Sequence, residues 1–235
     1  MDANPTKRTP VVTLALIATC IVVFLYQLSL SAGGEAALEQ FVTAWAVVPA
    51  ELVHALRAGR FLSMETATLI SSQFLHGGFL HIAGNMLYLW IFGNNVEDRF
   101  GRLRFLVFYL VGGVIAALTQ VAINPDSTIP TIGASGAIAA TLGAYLVLYP
   151  GARVTTAIFL VFFYQLIQVP AFVVLGFWFI IQLFDGIGSL GVSGSTQAGG
   201  VAFFAHIGGF VFGAAVALVV RAAGSSGRRS GWSVG

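Results

Sequence analysis

Long, mostly apolar runs separated by short polar stretches dominate this sequence. A helix needs about 20 predominantly apolar residues to cross the hydrocarbon core of a membrane. Five runs approach that pattern, namely Val11 to Leu30, Leu80 to Asn95, Leu103 to Ile123, Ile132 to Tyr149 and Val201 to Val220. The second and fourth are the shorter ones. The pattern predicts a membrane-spanning helix in each run.

A sixth apolar stretch, Val154 to Phe184, is too long for one upright helix and carries Pro170 near its middle. Proline starts helices well and continues them badly. We therefore expect the fifth span in chain order from about Pro170 to Phe184. The segment from Val154 to Val169, rich in β-branched and aromatic residues, is then interfacial or partly re-entrant, and its conformation stays open. If it crossed the membrane, the count would be seven.

The distribution of positive charge decides between six and seven spans. With six spans, all 11 Lys and Arg residues except Arg57 and Arg60 lie on one side. That side carries Lys7, Arg8, Arg99, Arg102, Arg104, Arg153, Arg221, Arg228 and Arg229. Because cytoplasmic loops are enriched in Lys and Arg, this predicts an all-α membrane protein, a six-helix bundle with both termini cytoplasmic.

The spans divide the chain into three predicted regions. Residues 1–10 form a cytoplasmic tail, residues 11–221 the six-helix domain, and residues 222–235 a flexible cytoplasmic tail. Within the domain, residues 31–75 form an outside loop. Its segments Ala36 to Val48 and Glu51 to Arg60 read as helices lying in the membrane interface or as an irregular loop. The first run could also be a signal peptide, but its length favours a retained anchor.

Composition narrows the class of protein further. Apolar residues make up 57% and charged residues 9% of the chain, and the mean hydropathy is +0.90. A soluble domain needs more polar surface than this. The net charge of +2 is scattered, so no basic patch suits a nucleic acid. The single cysteine, Cys20, cannot form an intrachain disulfide and is expected to be a small buried hydrophobe. No cofactor or metal site is indicated.

Four polar residues lie where apolar ones are expected, namely His81, Asn85, Ser135 and His206. Strongly polar side chains inside spans are costly and are read first as functional. Each also has a structural interpretation, since glycine-rich stretches pack helices and histidine or asparagine can bridge them. With six spans, all four lie at the outer ends of inward-running helices. They therefore share one leaflet, and a common site becomes possible.

The chemistry of these residues suits nucleophilic catalysis. A serine hydroxyl needs a neighbouring base, and a neutral imidazole is the usual one; Ser135 and His206 fit these roles. Because Ser135 opens a helix, backbone amides without intrahelical partners lie beside it. His81 and Asn85 could add donors to a developing oxyanion. No carboxylate lies within a span, and Asp126 and Asp185 fall in outside loops, so a dyad is favoured over a triad.

Small residues at spacings of three and four predict how two of these helices approach. Gly136, Ala140 and Gly143 form one stripe, and Ala202, His206, Gly209, Gly213 and Ala217 form another. Such stripes let two backbones come close in lipid. We therefore expect Gly133, Gly136, Gly209 and Gly213 to provide close packing at the site.

Taken together, these motifs resemble the rhomboid family of intramembrane serine proteases. The matching segments, in family order, are His76 to His81, Asn85 to Leu87, Phe92 to Asn94, Gly133 to Gly136 and Ala205 to Gly209. The resemblance covers about Val11 to Arg221. It implies a nucleophile at Ser135, a general base at His206, and an oxyanion site from His81, Asn85 and the Ser135 amide.

The resemblance also implies partners and location. Substrates would be single-span membrane proteins cut in or near an easily unwound helix after a small residue, and the enzyme would be a multi-pass protein of a bacterial-type cytoplasmic membrane. Two positions depart from the family. Ala139 stands where some relatives have a tyrosine that stacks on the histidine, so what steadies His206 stays open. A Trp-Arg pair of the first loop has no clear counterpart here.

Two further functions compete with the protease. A catalytically dead relative would bind membrane clients, but this chain keeps both Ser135 and His206. A small transporter or channel would use His81, Asn85 and His206 as a polar pathway, yet the sequence has no internal repeat of the kind many transporters show. A soluble α/β-hydrolase is excluded, since its nucleophile elbow follows a strand and has another glycine pattern.

Overall fold

The structure, a computed structural model, is mostly helical and describes residues 4, 6–160, 163–189 and 202–226. Its helices are α1 (Val11–Ala32), α2 (Glu35–Trp45), α3 (Pro49–Arg57), α4 (Met64–Ser71), α5 (Phe79–Tyr88), α6 (Asn94–Phe100), α7 (Arg102–Ile123), α8 (Ser135–Leu148), α9 (Ala171–Ser189) and α10 (Phe203–Ser226). Two strands, β1 (Arg153–Leu160) and β2 (Phe163–Pro170), separate α8 from α9. Each of the five clear apolar runs is largely helical.

Within the described part of the chain, three helices are long and apolar enough to cross a membrane, by length and composition: α1, α7 and the part of α10 from Phe203 to Ala223. Two shorter apolar helices are α8 and Ala171–Phe184 of α9. Between α5 and α6 the five residues Leu89–Gly93 form a π-helical turn, so the second apolar run is one unbroken helical stretch with a local irregularity. The chain is an integral membrane protein with mostly helical structure.

The N-terminus of α1 is capped by a carboxylate from α6. Glu97 is buried and accepts hydrogen bonds from the Val12 amide (3.0 Å), the Thr13 amide (2.8 Å) and the Thr13 hydroxyl (2.8 Å). The first amides of a helix lack intrahelical acceptors, and the helix dipole favours a negative charge there. Glu97 therefore links the start of α1 to α6 by hydrogen bonds.

Helices α8 and α10 pack so closely that glycine is required at their contact. A Cβ on Gly209 would overlap the Gly136 carbonyl oxygen, and one on Gly213 would overlap the carbonyl oxygen of Ala140. On the other helix, a Cβ on Gly143 would overlap the Phe210 carbonyl oxygen. The two predicted stripes of small residues thus face each other, which fixes the depth at which His206 meets α8.

The segment after α8 folds as an antiparallel β-hairpin rather than a helix. Arg153 pairs with Pro170 and Leu160 with Phe163, and the connecting residues 161–162 lie outside the described part of the chain. Its β-branched and aromatic content favours strands, and the pairing gives the backbone hydrogen bonds that an irregular interfacial segment would lack. The hairpin leads directly into α9 and is the one described departure from an all-α chain.

The predicted outside loop, residues 31–75, contains α2, α3 and α4, and two of these, α2 and α3, form where an irregular loop had been the alternative. Between α2 and α3, Val47 exchanges backbone hydrogen bonds of 3.1 and 2.8 Å with Thr131. The Gly133 amide donates to the Ser72 carbonyl at 2.9 Å. These bonds attach the residues just before α8 to the first loop. At the other end of the chain, α10 continues to Ser226, into the predicted flexible tail.

Candidate active site

The four polar residues singled out from the sequence line one cavity. Its volume is about 800 Å³, and its walls include His81, Asn85, Ser135 and His206 together with Trp178. These residues come from α5, α8, α9 and α10. Helices separated widely in sequence therefore converge on a single chamber.

Ser135 owes its position to the glycine two residues before it. Gly133 has a φ of 125°, which L side chains rarely adopt. A Cβ at this position would also lie 2.8 Å from His81 Nε2. The chain therefore turns sharply and α8 begins at Ser135. The Ile138 amide donates to the Ala134 carbonyl at 2.9 Å, and this bond begins the helical hydrogen-bond pattern. The amides of Ser135, Gly136 and Ala137 come before it and have no acceptor within the helix.

His206 joins Ser135 by a direct hydrogen bond. Its Nε2 atom lies 2.8 Å from Ser135 Oγ, although 71 residues separate the two in sequence. The side chain is buried, with 9% of its surface exposed. A hydroxyl and an imidazole at this distance can transfer a proton between them.

The second nitrogen of the His206 ring contacts α9. Nδ1 lies 2.6 Å from Gln182 Oε1, and the Trp178 ring lies beside the imidazole with centroids 5.8 Å apart at 39°. Trp178 is thus the aromatic side chain beside the His206 ring. With Nε2 at Ser135 and Nδ1 at Gln182, both nitrogens are engaged by uncharged side chains. Asp126 is exposed, and the Asp185 side chain lies outside the described residues.

Sequence analysis missed Gln182 and Trp178. Gln182 nevertheless meets the criterion that identified His81 and His206, because it is a strongly polar residue within a predicted span. Its spacing of four from Trp178 places both on one face of α9. Its amide within an apolar run is the same sequence signal that identified Asn85.

Asn85 and His81 lie on one face of α5, toward the cavity. Asn85 is 8% exposed, and its Nδ2 has no hydrogen-bond partner among the described residues. The His81 Nδ1 atom accepts from the Gly77 amide at 3.3 Å, while its Nε2 edge faces Gly133. Two side-chain nitrogens on α5 are therefore available beside the start of α8.

His76 supports this wall from the preceding loop. It is buried, its ring lies 5.3 Å from that of His81, and its backbone exchanges hydrogen bonds of 3.0 and 3.2 Å with the Gln27 side chain. Burial, and to a smaller extent the neighbouring His81, lower the pKa of His76 to about 4. His76 is therefore neutral at pH 7 and acts as an uncharged support for His81.

Metal chemistry has no visible basis in the described part of the chain. In residues 4, 6–160, 163–189 and 202–226, no three His, Cys, Asp or Glu side chains gather closely enough to hold an ion. Cys20 is fully buried in α1. The polar side chains that line the cavity include those of Ser135, His81, His206 and Asn85, with Ser72, Gln73, Tyr88 and Thr131 around them.

Comparison with known proteins gives one family. Residues 63–223 match the Rhomboid domain. The chain is 34% identical over 163 residues to Rhomboid protease GluP of Bacillus subtilis, a match that covers 68% of this chain and 28% of that protein. It is 32% identical over 165 residues to Rhomboid-like protease 5 of Toxoplasma gondii, covering 67% of this chain and 17% of the relative.

A third relative is RHOMBOID-like protein 12, mitochondrial, of Arabidopsis thaliana, 33% identical over 162 residues, with 60% of this chain and 45% of that protein covered. The chain thus spans less than half the length of each of these relatives. The matched domain contains α5, α8 and α10, which carry Asn85, Ser135 and His206. Since the Rhomboid domain extends over more than half of the sequence, from α4 to α10, this chain belongs to the rhomboid family.

Proposed function

We propose that this protein is an intramembrane serine endopeptidase that hydrolyses a peptide bond in or near the transmembrane segment of a membrane-protein substrate. The observation that carries the proposal is the 2.8 Å hydrogen bond between Ser135 Oγ and His206 Nε2 at a cavity wall. Two relatives are named as proteases, which supports the same reaction class. Ser135 is the nucleophile and His206 the general base.

The reaction follows from the placement of these two groups. Ser135 Oγ attacks the scissile carbonyl carbon while its proton passes to His206 Nε2. The tetrahedral intermediate then collapses, the C–N bond breaks, and the protonated imidazole gives its proton to the leaving amine. Water next attacks the acyl-enzyme with His206 again as base, releasing the new carboxylate and restoring Ser135.

The oxyanion of each intermediate is assigned to His81, Asn85 and the Ser135 backbone amide. Asn85 Nδ2 supports this role, because a buried amide donor without a partner is costly unless a ligand supplies the acceptor. The first-turn amides of α8 carry the positive end of the helix dipole toward the same place. Donors held ready in a water-poor cavity stabilise developing charge without reorganisation.

The proposal includes a six-span topology with both termini in the cytoplasm. Its support is the clustering of basic residues at the bundle end opposite Ser135. There the Lys7 amide donates to Asp98 (3.1 Å), and Arg221 donates to the carbonyl of Val147 at the end of α8 (3.2 Å). Substrates would be single-span proteins of a bacterial-type cytoplasmic membrane, entering from the bilayer.

The direct test compares wild-type protein with Ser135→Ala and His206→Ala in detergent, using a generic single-span substrate. Each variant should lose cleavage while keeping its thermal unfolding temperature. The double variant should resemble either single one, because residues acting as a unit are not additive. Appreciable cleavage by purified Ser135→Ala or His206→Ala would rule out the dyad.

A further inference from the structure

Helix α9 contacts the His206 ring at the nitrogen that does not bond to Ser135. This contact has no part in the proposed proton transfers. Trp178 and Gln182 lie four residues apart on one face of α9, and both contact the imidazole. The ring is thus bounded by Ser135, Trp178 and Gln182. We propose that Gln182 is a positioning residue, whose side-chain oxygen holds His206 in the one tautomer that can serve as base; this rests on the protease function proposed above.

The tautomer follows from the donor and acceptor inventory. Neutral imidazole has one N–H donor and one bare nitrogen acceptor, and an amide oxygen only accepts. Since Gln182 Oε1 lies 2.6 Å from Nδ1, the proton of the neutral ring resides on Nδ1. Nε2 is then bare and accepts the Ser135 proton across 2.8 Å. The other tautomer would place a hydrogen on Nε2 and could not act as a base.

An uncharged acceptor suits the location of this site. A carboxylate beneath the membrane surface would require costly desolvation, whereas an amide orients the ring at lower cost. The amide dipole also stabilises the imidazolium formed during attack, though less than a full negative charge would. Among the described residues, His81 is the titratable group electrostatically coupled to His206. Gln182 therefore takes the orienting position that an acid fills in a triad.

The test uses Gln182→Leu, which removes the acceptor, and Gln182→Glu, which keeps one. Gln168→Leu is the matched control, because Gln168 is exposed on β2, away from His206. We expect Gln182→Leu to lower kcat roughly ten- to a hundredfold, the range for leaving a buried donor unpaired, with KM little changed. Gln182→Glu should restore much of that loss, and Gln168→Leu should match the wild type.

Two readouts separate positioning from a purely structural role. In ¹⁵N-histidine-labelled protein, the wild-type His206 ring should carry its proton on Nδ1, and Gln182→Leu should show a mixture of tautomers. In Gln182→Glu, a carboxylate beside the ring stabilises the protonated imidazole. His206 therefore stays protonated, and cannot accept the Ser135 proton, up to a higher pH. The acid limb of its cleavage profile should therefore shift to higher pH than in the wild type.

The outcomes distinguish this inference from the proposed function. Cleavage by Ser135→Ala would overturn the serine mechanism on which this inference rests. If Ser135→Ala is inactive while Gln182→Leu cleaves at the wild-type rate, or if its tautomer stays unchanged, the positioning role is wrong and the protease stands. If gel filtration shows that Gln182→Leu does not fold, the pH profile of cleavage by Gln182→Glu tests the proposal instead. An acid limb at the same pH as in the wild type would then contradict the positioning role.

Discussion

At the scale of single residues, the site depends on partners that are held before substrate arrives. Ser135 and His206 are already in hydrogen-bond contact, and Gln182 engages the other ring nitrogen. Asn85 differs, because its Nδ2 is buried without an acceptor among the described residues. The proposed nucleophile and base are therefore paired in the free protein, whereas the proposed oxyanion donor would gain its partner only during the reaction.

This difference predicts a partial rather than complete loss for Asn85→Ala. The turnover rate should fall by about ten- to a thousandfold, the range for removing one oxyanion donor. Ser135 should still react with a small activated phosphonate, because its hydrogen bond to His206 is untouched. Single-turnover cleavage and active-site labelling measure the two effects, with Asn124→Ala at the end of α7 as control. Complete loss of labelling in Asn85→Ala would reassign Asn85 to structure.

At the scale of helices, the approach of α10 to α8 fixes the distance between His206 and Ser135. Gly209 and Gly213 face backbone carbonyls of α8, where a methyl group has no room. The carbonyl oxygens belong to rigid backbone and cannot rotate away as side chains can. Any side chain at these positions therefore has to push the two helices apart, and His206 moves with α10.

Gly213→Ala should consequently destabilise the protein and reduce cleavage together. Overpacking of a tight core costs about 1–3 kcal/mol, and the wider helix spacing would lengthen the contact between Ser135 and His206. Gly176→Ala on α9 is the matched control, because a Cβ there meets nothing within 4 Å. Thermal unfolding in detergent and the cleavage rate are the measurements. Equal stability of the two variants would contradict the close-packing interpretation.

At the scale of the whole molecule, the two ends of the bundle have different chemistry. One end carries the cavity, which Ser135, His81, His206 and Asn85 help to line. At the other end, the Lys7 amide donates to Asp98, and Arg221 donates to a carbonyl near the end of α8. Since positive residues stay in the cytoplasm, the cavity is expected to open toward the outer leaflet.

Cysteine labelling tests this orientation. The native Cys20 is fully buried, so it should add little background. In intact cells, a membrane-impermeant maleimide should label Arg57→Cys in the outside loop and leave Lys7→Cys unlabelled until the membrane is broken. Both positions are exposed, which makes them a matched pair. Labelling of Lys7→Cys in intact cells would invalidate the proposed topology.

The sequence by itself determined where the long apolar helices lie and which family the chain belongs to. Apolar length is a local property, so Val11 to Leu30 and Leu103 to Ile123 could be read directly and correspond to α1 and α7. Glycine and serine spacing likewise identified Gly133 to Gly136, because a sharp turn before a helix has local backbone requirements. Both features depend on residues that are close together in the sequence.

Only the tertiary structure decided the contacts between distant segments. Gln182 meets His206, and Glu97 meets the start of α1, through bonds spanning 24 and up to 85 residues. Which side chains face each other depends on how each helix is rotated and how deep it packs, and hydropathy is insensitive to both. The hairpin Arg153–Pro170 was undecided for a related reason, since strands obtain their hydrogen bonds from a partner segment and a single apolar run does not reveal that partner.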